Sequence, residues 1–299
     1  MKIIAGCSSV DLTHAVCRIL GTEPIFPTYK CFSDGEISVD ILSDDIQDDK
    51  CLLIHSLSDP VNDNMVALLL TIDALKRGGP NKIIVFLPYL AYTRQTHATS
   101  LIASLMHSAG VHQGITVDPH SHIENTAIPI DVLSTTQLFA DHIKATYNLC
   151  DFVIVAPDQG SIERCKHVHS ALELTSDLIC IDKIRTDGLC TVQAIHGDVR
   201  GKHCIIIDDI IDTGATLCSA AEALIQHGAT EVFAYCTHGV LSGDALVLVQ
   251  QSVIKKLVIT DTIEPQVKCV NMPKIKVISV AGLLAEHMNL LLMNKNYFS

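Results

Sequence analysis

Short runs of apolar residues recur along the chain, and within most of them every residue is apolar instead of every second one. Strands of a parallel sheet have this pattern when helices cover both of its faces, because neither side of the strand then meets water. Helix-like segments lie between the runs, and two of them end at glycine: 64–77 before Gly78 and 216–227 before Gly228. This alternation predicts an α/β fold with mainly parallel sheets flanked by helices. The predicted strands are 51–55, 83–87, 115–118, 152–156, 178–182, 204–208, 232–236, 257–260 and 276–280.

The series of strands and helices occurs twice, before and after about residue 140. A chain of 299 residues is long enough for about two domains of roughly 150 residues each. We therefore predict two similar α/β domains, 1–140 and 141–283, and a C-terminal helix in 284–299 that packs on the first domain. Several predicted strands end on an acid. Ligands of open α/β sheets bind beyond the carboxyl ends of the strands, so these ends are the predicted site.

The net charge of −12 argues against a nucleic-acid-binding protein, which would carry a basic face. Acidic clusters can instead hold Mg²⁺, which then meets phosphate groups. Twelve cysteines are scattered without a C-x-x-C pair, which is typical of reduced thiols in the cytoplasm. The first residues lack the apolar run of a signal peptide, and no run approaches the ~20 residues of a membrane span. We therefore expect a cytoplasmic protein that binds neither nucleic acid nor membrane.

The stretch CIIIDDIIDTGAT, residues 204–216, ends a predicted strand on paired carboxylates and continues with a small, hydroxyl-rich turn. Two adjacent like charges are unfavourable unless cations or hydroxyl groups meet them, and a sugar diol or hydrated Mg²⁺ would do so. Gly214 lets the backbone approach a ligand closely, and the N–H groups at the start of the next helix suit a phosphate. Carboxylates for a diol, followed by a phosphate seat, fit ribose 5-phosphate. The alternative without a ligand is a capped helix after a surface turn.

The same stretch resembles the phosphoribosyl-pyrophosphate-binding motif of two groups, the type I phosphoribosyltransferases and the ribose-phosphate pyrophosphokinases. The phosphoribosyltransferases have one such domain and lack FSDGE and YTRQ. The resemblance to the pyrophosphokinases covers nearly the whole chain and implies a type I phosphoribosyltransferase-like fold in both domains. The further motifs that carry it, in order, are FSDGEISV at 32–39, PVNDN at 60–64, IDALKRG at 72–78, LPYLAYTRQ at 87–95 and IDKIR at 181–185.

The resemblance also implies a reaction that serves nucleotide biosynthesis. The β,γ-diphosphoryl group of ATP passes to the C1 hydroxyl of ribose 5-phosphate, and the products are phosphoribosyl pyrophosphate and AMP. The implied cofactor is Mg²⁺, and the implied substrates are ATP and ribose 5-phosphate. Because the family's ATP site takes residues from a neighbouring subunit, the resemblance implies a homo-oligomer, either a dimer or a hexamer.

The resemblance assigns roles to residues, position by position. Lys183 and Arg185 are the implied catalytic residues, on a flexible hairpin over the reacting phosphates, and standing alone they would suggest only a basic edge strand. The implied magnesium positions are His120 and Asp158, the latter in the family's pyrophosphate loop, here APDQGS at 156–161. The residues implied to bind ATP are Phe32, Asp34, Gly35, Glu36, Arg94 and Gln95, the first four from the neighbouring subunit. The residues implied to bind ribose 5-phosphate are Arg185, Asp208, Asp209, Asp212, Thr213, Gly214, Ala215 and Thr216.

A zinc site at Asp118, His120 and His122 is an alternative to magnesium. We favour magnesium because the implied reaction requires it and no fourth zinc ligand is evident.

The chain departs from the family pattern in four places. After Gln95, the family's acid and basic loop are replaced by Thr96 and His97. Residues 42–49 lack an arginine that binds regulatory phosphate in many members, Ser161 stands where a second glycine is common, and 121–129 read SHIENTAIP in place of the usual QIQGFF. Together these changes permit an alternative, a weakly active or non-catalytic paralogue that acts as a regulatory subunit. The main hypothesis remains an active ribose-phosphate pyrophosphokinase, because the implied catalytic cations, loop aspartates, magnesium positions and ATP motifs are all present. A phosphoribosyltransferase is a further alternative.

Overall fold

The computed structural model describes residues 1–42, 46–95, 97–186, 189–265, 269 and 271–293, with backbone only at 149, 184–186, 189–191 and 292. Its internal contacts divide the chain into two units. Unit 1 comprises Met1–Leu133, Thr262–Glu264 and Ser279–Ser299, and unit 2 comprises Ser134–Asp261 and Pro265–Ile278. The domain boundaries near residues 140 and 283 stay predictions from the sequence.

Unit 1 is built on a six-stranded parallel sheet in the order β2-β1-β5-β6-β7-β8, with β3 and β4 forming a separate antiparallel pair. Its central strands are buried apart from a half-buried lysine at the start of two of them, in agreement with their largely apolar sequences. The elements are β1 Lys2–Ala5, α1 Val10–Leu20, β2 Pro24–Ile25, β3 Thr28–Cys31, β4 Ile37–Asp40, β5 Lys50–Ile54, α2 Val61–Arg77, β6 Lys82–Leu87, α3 Ala98–Ala109, β7 Gln113–Val117 and β8 Ile130–Leu133.

Unit 2 is built on a seven-stranded sheet in the order β11-β10-β9-β12-β13-β14-β15. All neighbouring strands are parallel except β10 and β11, which form an antiparallel hairpin. The elements are α4 Thr136–Thr146, β9 Phe152–Ala156, α5 Ile162–Ala171, β10 Ile179–Thr186, β11 Leu189–His196, β12 His203–Ile211, α6 Ala215–Gln226, β13 Glu231–Gly239, α7 Ala245–Gln251, β14 Ile254–Thr260 and β15 Ile275–Ile278.

Both faces of the unit 2 sheet are covered, as the residues of β12 show. Ile206 belongs to a core that includes Leu217 of α6, whereas Ile205 and Ile207 belong to a second core that includes Phe139 of α4. Successive side chains of a strand point to opposite faces, so a continuously apolar strand serves both cores. The predicted α/β fold with parallel sheets flanked by helices is therefore confirmed.

The last helix of unit 1, α8 Ala281–Met293, packs against α1. Its His287 Nε2 lies 3.0 Å from Asp131 Oδ2 of β8, which adds a polar tie to the rest of the unit. Among the helices that the structure describes, none has both the length and the apolar character needed to cross a lipid bilayer.

Candidate active site

The strand β12 carries two of the predicted site residues, Asp208 and Asp209. It continues to Ile211, three residues beyond the predicted end, because Ile210 and Ile211 keep pairing with β13. The two aspartates therefore fall on opposite faces of the strand. Asp209 is buried, with 6% exposure, and its Oδ2 lies 3.5 Å from Nη2 of Arg164 on α5. The two carboxyl groups thus point in different directions, and the Arg164 guanidinium group lies beside that of Asp209.

Asp208 meets the loop that follows β9. Asp158 caps the start of a short 3₁₀ turn at Gln159–Ser161, because its Oδ1 accepts hydrogen bonds from the Ser161 backbone N–H at 3.1 Å and from the Ser161 hydroxyl at 2.8 Å. The same hydroxyl lies 3.2 Å from Asp208 Oδ1. Ser161 itself is buried. One serine side chain therefore joins a predicted metal position to a predicted ribose position.

Electrostatics at this cluster favour the arrival of a cation. Burial raises the pKa of Asp208, and the neighbouring Asp209 and Asp158 carboxyl groups raise it further. A raised pKa means that the ionised carboxylate is disfavoured where it stands, and a positive ion beside it would reverse this. Carboxylate oxygens are ligands that Mg²⁺ prefers, and Mg²⁺ commonly uses one or two of them together with water and substrate phosphates. The residues present at Asp158 and Asp208 thus fit a magnesium ion.

The turn between β12 and α6 has the features of a phosphate seat. Gly214 adopts a left-handed conformation, with φ of 80°, and immediately precedes α6. Residues other than glycine rarely adopt this backbone conformation, so Gly214 allows the sharp turn. The first N–H groups of α6 have no partner within the helix and are available to a ligand. Thr213 and Ala215 are exposed beside it. An anion at this end would also be stabilised by the helix dipole.

Lys183 reaches this helix start from the β10–β11 hairpin. Its Nζ donates a hydrogen bond to the backbone carbonyl of Thr216 at 3.2 Å. Lys183 pairs with Val192, and Arg185 pairs with Cys190. The side chain of Arg185 lies outside the described residues, so its predicted alignment with Lys183 stays a prediction. The structure therefore brings Lys183 to the 208–216 loop.

In unit 1, the FSDGE motif forms the turn of the β3–β4 hairpin. The Phe32 N–H donates to the Glu36 carbonyl at 2.8 Å, and Gly35 supplies the positive φ of 94° that the turn requires. Asp34 accepts the Glu36 N–H at 3.1 Å. The Phe32 ring is 43% exposed, and Lys30 Nζ lies 4.7 Å from its centroid. The turn thus presents an aromatic face and two carboxylates to solvent.

The other predicted ATP residues, Arg94 and Gln95, are exposed on the segment between β6 and α3. The Tyr92 hydroxyl donates a hydrogen bond to Asn62 Oδ1, which ties this segment to the PVNDN motif. Tyr92 has a φ of 65°, uncommon for a residue other than glycine. α3 begins at Ala98, so the segment that follows Gln95 is as short as the sequence indicates.

His120 is exposed in the loop that follows β7, together with His122. Across the described ranges, no group of three or more His, Cys, Asp or Glu side chains is placed to hold a metal ion. The zinc alternative at Asp118, His120 and His122 therefore gains no support. Magnesium does not need such a group, because it keeps water and substrate oxygens as ligands.

Comparison with known proteins bears on the identity of this site. A family model for the N-terminal domain of ribose phosphate pyrophosphokinase matches residues 1–110, and one for the phosphoribosyl synthetase-associated domain matches residues 191–297. The ribose-phosphate pyrophosphokinase of Agrobacterium fabrum is 39% identical over 97% of this chain and 96% of its own length. The chain belongs to the ribose-phosphate pyrophosphokinase family. The resemblance inferred from the motifs is thereby confirmed.

Other members of the ribose-phosphate pyrophosphokinase family support the same assignment. Ribose-phosphate pyrophosphokinase 1 of Streptococcus pyogenes serotype M1 is 39% identical over 96% of this chain and 92% of its own length. The crystal structure of phosphoribosylpyrophosphate synthetase from Mycobacterium smegmatis has a TM-score of 0.88 and 29% identity, covering 98% of this chain and 99% of that one. The similarity in sequence and in fold thus extends over both units.

Two residues near this pyrophosphokinase-family site were not predicted from the sequence. Arg164 lies in the first turn of α5, three residues after Ser161, and this helical spacing was an available signal. Ser242, in the loop after β13, donates hydrogen bonds from its hydroxyl to Asp212 Oδ1 and from its N–H to the Asp212 carbonyl. Ser242 is 30 residues from Asp212 in the sequence, so no local pattern could predict this contact.

Proposed function

We propose that this chain is an active ribose-phosphate pyrophosphokinase, which transfers the β,γ-diphosphoryl group of ATP to the C1 hydroxyl of ribose 5-phosphate. The observation that carries the proposal lies in unit 2. Lys183 Nζ donates a hydrogen bond to the start of α6. The turn before α6 follows Asp208 in the chain. The Ser161 hydroxyl group lies within hydrogen-bond distance of both Asp208 and Asp158. A cation, a phosphate seat and carboxylates are thus assembled within one unit of a chain that belongs to this family.

Each part of this assembly has a role in the proposed reaction. The N–H groups around Gly214 bind the 5-phosphate of the sugar, as helix starts bind anions. The carboxylates of Asp208, Asp209 and Asp212 accept hydrogen bonds from ribose hydroxyl groups, although Asp209 is buried against Arg164 and so contributes least. Thr213, Ala215 and Thr216 complete the turn around the phosphate.

The proposed transfer forms a bond between the C1 hydroxyl oxygen and the β-phosphorus of ATP. The bond from the β-phosphorus to the oxygen that it shares with the α-phosphorus breaks, AMP leaves with that oxygen, and the proton of the C1 hydroxyl group passes to water. Such a reaction depends on positioning and on neutralising charge. Lys183, and Arg185 beside it in the hairpin, would hold positive charge where the diphosphoryl group is transferred.

We propose that Asp158 of unit 2 helps to hold Mg²⁺, with Asp208 beside the same Ser161 hydroxyl group. We propose that His120 is the magnesium-associated residue of unit 1. When bound, the ion neutralises phosphate charge. Asp158 keeps its carboxylate oriented for this task, since its Oδ1 atom is fixed by two hydrogen bonds from Ser161.

On the nucleotide side, we propose that Arg94 and Gln95 contact ATP and that the turn with Phe32, Asp34, Gly35 and Glu36 meets the adenine of ATP on a neighbouring subunit. The exposed Phe32 ring supports this, because a purine can stack on it. The proposal requires a homo-oligomer, a dimer or a hexamer. It also places the enzyme in the cytoplasm, which suits the free thiols of the cysteines whose side chains the structure describes.

The experiment that tests the function is turnover of ATP and ribose 5-phosphate with Mg²⁺, with and without inorganic phosphate and ADP. We expect equal amounts of AMP and phosphoribosyl pyrophosphate. Because the segment after Gln95 is short, we expect a rate that changes little with phosphate or ADP. Absence of AMP in every condition, with a folded protein, would contradict the proposal.

The second candidate is a non-catalytic or weakly active subunit. It is favoured by one observation, the start of α3 at Ala98, which leaves two residues after Gln95 to cover ATP. This candidate predicts binding of ribose 5-phosphate by calorimetry without AMP release. It also predicts stable association with an active family member.

A further inference from the structure

The catalytic hairpin of unit 2 leaves the sheet shortly after it begins. β10 pairs with β9 through Ile179 and Cys180, and in the described residues this parallel pairing goes no further. Beyond that point β10 has β11 as its strand neighbour. A two-stranded ribbon of this kind is marginally stable by itself, so the position of its side chains depends on its ties to the rest of the unit. Val192 and Ile195 of β11 supply apolar ties, because they pack against the core that includes Leu217 of α6.

Asp182 supplies a polar tie, two residues after the last parallel pair at Cys180. Its Oδ1 accepts a hydrogen bond from Nε2 of Gln159 at 2.8 Å, and its Oδ2 lies 2.6 Å from Nε2 of His196. Gln159 belongs to the loop that contains Asp158, and His196 is the last residue of β11. One carboxylate therefore joins the loop, the outgoing strand and the returning strand.

The chemistry of these contacts suits a stable junction. Hydrogen bonds from His196 and then Gln159 hold the pKa of Asp182 below its usual value, so the carboxylate is ionised at neutral pH. Hydrogen bonds to an ionised acceptor are stronger than those between neutral groups. The three side chains also share the entropic cost of ordering, which a single exposed pair does not.

The residue that follows the junction is Lys183. The ladder between β10 and β11 changes register here, since Asp182 lies opposite Ala194 whereas Lys183 lies opposite Val192. Gln193 is therefore an extra residue on β11, and a bulge of this kind redirects the next side chain. The side chain of Lys183 extends from the strand at this bulge, and its Nζ donates a hydrogen bond to the Thr216 carbonyl. The direction of Lys183 thus depends on where Asp182 is held.

We infer that Gln159, Asp182 and His196 form a positioning network, which fixes the root of the hairpin to the Asp158 loop and so aims Lys183 at the start of α6. Asp182 is the central member, and it acts through Lys183 instead of touching substrate. The inference rests on the proposed function, because Lys183 is assigned there as the cation at the transferred diphosphoryl group.

The test begins with kinetics of Asp182→Ala. We expect kcat to fall about 10- to 100-fold, with KM for ribose 5-phosphate changed by less than about twofold, because a misplaced Lys183 loses an interaction made in the transition state. The matched control is Asp198→Ala, which removes an exposed aspartate just beyond the same hairpin, paired with Arg200. A loss of kcat no greater than that of the control would overturn the inference.

A double variant separates positioning from a general structural role. If Asp182 acts through Lys183, adding Asp182→Ala to Lys183→Ala should lower kcat by less than about threefold more. An undiminished further loss would overturn the inference. His196→Gln keeps an N–H donor and should retain most of the activity, whereas His196→Leu should lower kcat about three- to tenfold. Equal losses in both variants would also count against the network.

A readout without substrate keeps the network testable if the wild type shows no turnover, which would be a failure of the proposed function alone. Amide hydrogen exchange of residues 189–196 should be faster in Asp182→Ala than in the wild type and in Asp198→Ala. Exchange elsewhere in unit 2 should be unchanged. Equal exchange of the hairpin in all three proteins would refute the network, whatever the activity.

Discussion

Each unit has an ionisable side chain in the last part of a parallel strand or just after it, and burial shifts the pKa of both groups, but the two side chains are of opposite kinds. In unit 2 it is the carboxyl group of Asp208, whose pKa is raised by burial and by two neighbouring carboxyl groups. In unit 1 it is the imidazole of His55, directly after β5, whose pKa burial lowers to about 4. Both groups are therefore driven towards their neutral forms.

The surroundings of the two groups differ in a way that indicates function. His55 Nε2 lies 2.8 Å from the Asn64 carbonyl, which fixes the first turn of α2, and Gly6 packs directly against its ring. Asp208 instead lies beside the Ser161 hydroxyl group and close enough to Asp209 and Asp158 for both acids to raise its pKa. A histidine held between backbone segments serves the fold of unit 1. An acid held among acids suits a cation and a sugar, which supports our proposal that the reacting centre lies in unit 2.

The variant Lys183→Ala tests this contrast with the largest expected effect. If unit 2 holds the reacting centre, kcat should fall about 100- to 1000-fold while KM changes little, since the lysine acts on charge that develops in the transition state. Lys255→Ala is the matched control, because Lys255 is an exposed lysine of unit 2 in a surface ion pair with Glu231. Equal changes in kcat and KM for Lys183→Ala would contradict its catalytic assignment.

The pH dependence of stability tests the role of His55. A histidine that is neutral when folded, with a pKa of about 4 against an ordinary value near 6.5, binds fewer protons than the unfolded chain between these values. Stability contributed by the neutral ring is thus present above about pH 6.5 and is lost as the pH falls towards 4. Relative to His55→Gln, the wild type should lose about 3 kcal/mol of unfolding free energy over this range.

Urea denaturation of both proteins at several pH values measures this difference. Should His55→Gln not fold, an NMR titration of the His55 ring in the wild type gives the pKa directly. If the unfolding free energies of the two proteins changed with pH in parallel, or if the His55 ring titrated near 6.5, the predicted effect of burial on His55 would be wrong.

Asp208→Asn should show the opposite pH dependence. Because the pKa of Asp208 is higher in the folded than in the unfolded chain, its ionisation lowers the free energy of unfolding. This loss of stability grows as the pH rises above about 4. At pH 8 without Mg²⁺, the asparagine variant should therefore be more stable than the wild type by about 1 to 2 kcal/mol. Its affinity for ribose 5-phosphate should fall about tenfold, because a hydroxyl group loses an anionic acceptor.

Calorimetry and urea denaturation of one preparation supply both numbers. Asp177→Asn, a change of an exposed aspartate in the same unit, should alter neither. A less stable Asp208→Asn variant with undiminished affinity would mean that Asp208 serves the fold of unit 2, as His55 serves unit 1.

Much of this arrangement could be predicted from local sequence. The helix α2 ends at Arg77, as the following glycines predict, and Gly228 follows α6 with positive φ. The buried strands could be recognised because a strand covered on both faces must be apolar throughout. The start of α2 at Val61, three residues early, was missed because Asn and Asp in PVNDN are also typical of loops.

Other parts depend on contacts between distant segments and could not be predicted. The extension of β12 to Ile211 comes from pairing with β13, and its charged residues hid the strand pattern. The pairing of Asp209 with Arg164 depends on which face of the strand each aspartate takes. The roles assigned to Lys183, Asp158 and the exposed ATP residues came from family resemblance and stay predictions.

The smallest expected effect concerns Phe32 of unit 1, which lies on an exposed turn. Phe32→Ala should change the unfolding free energy by less than about 0.5 kcal/mol, because the ring is 43% exposed. Loss of stacking on adenine should raise KM for ATP about fivefold, equivalent to about 1 kcal/mol, and leave kcat unchanged. Phe26→Ala, a similarly exposed phenylalanine outside the turn, should not alter KM. A stability loss above about 2 kcal/mol would mean that Phe32 serves the fold of unit 1, as His55 does. An unchanged KM for ATP would contradict the assignment of this exposed turn to nucleotide binding.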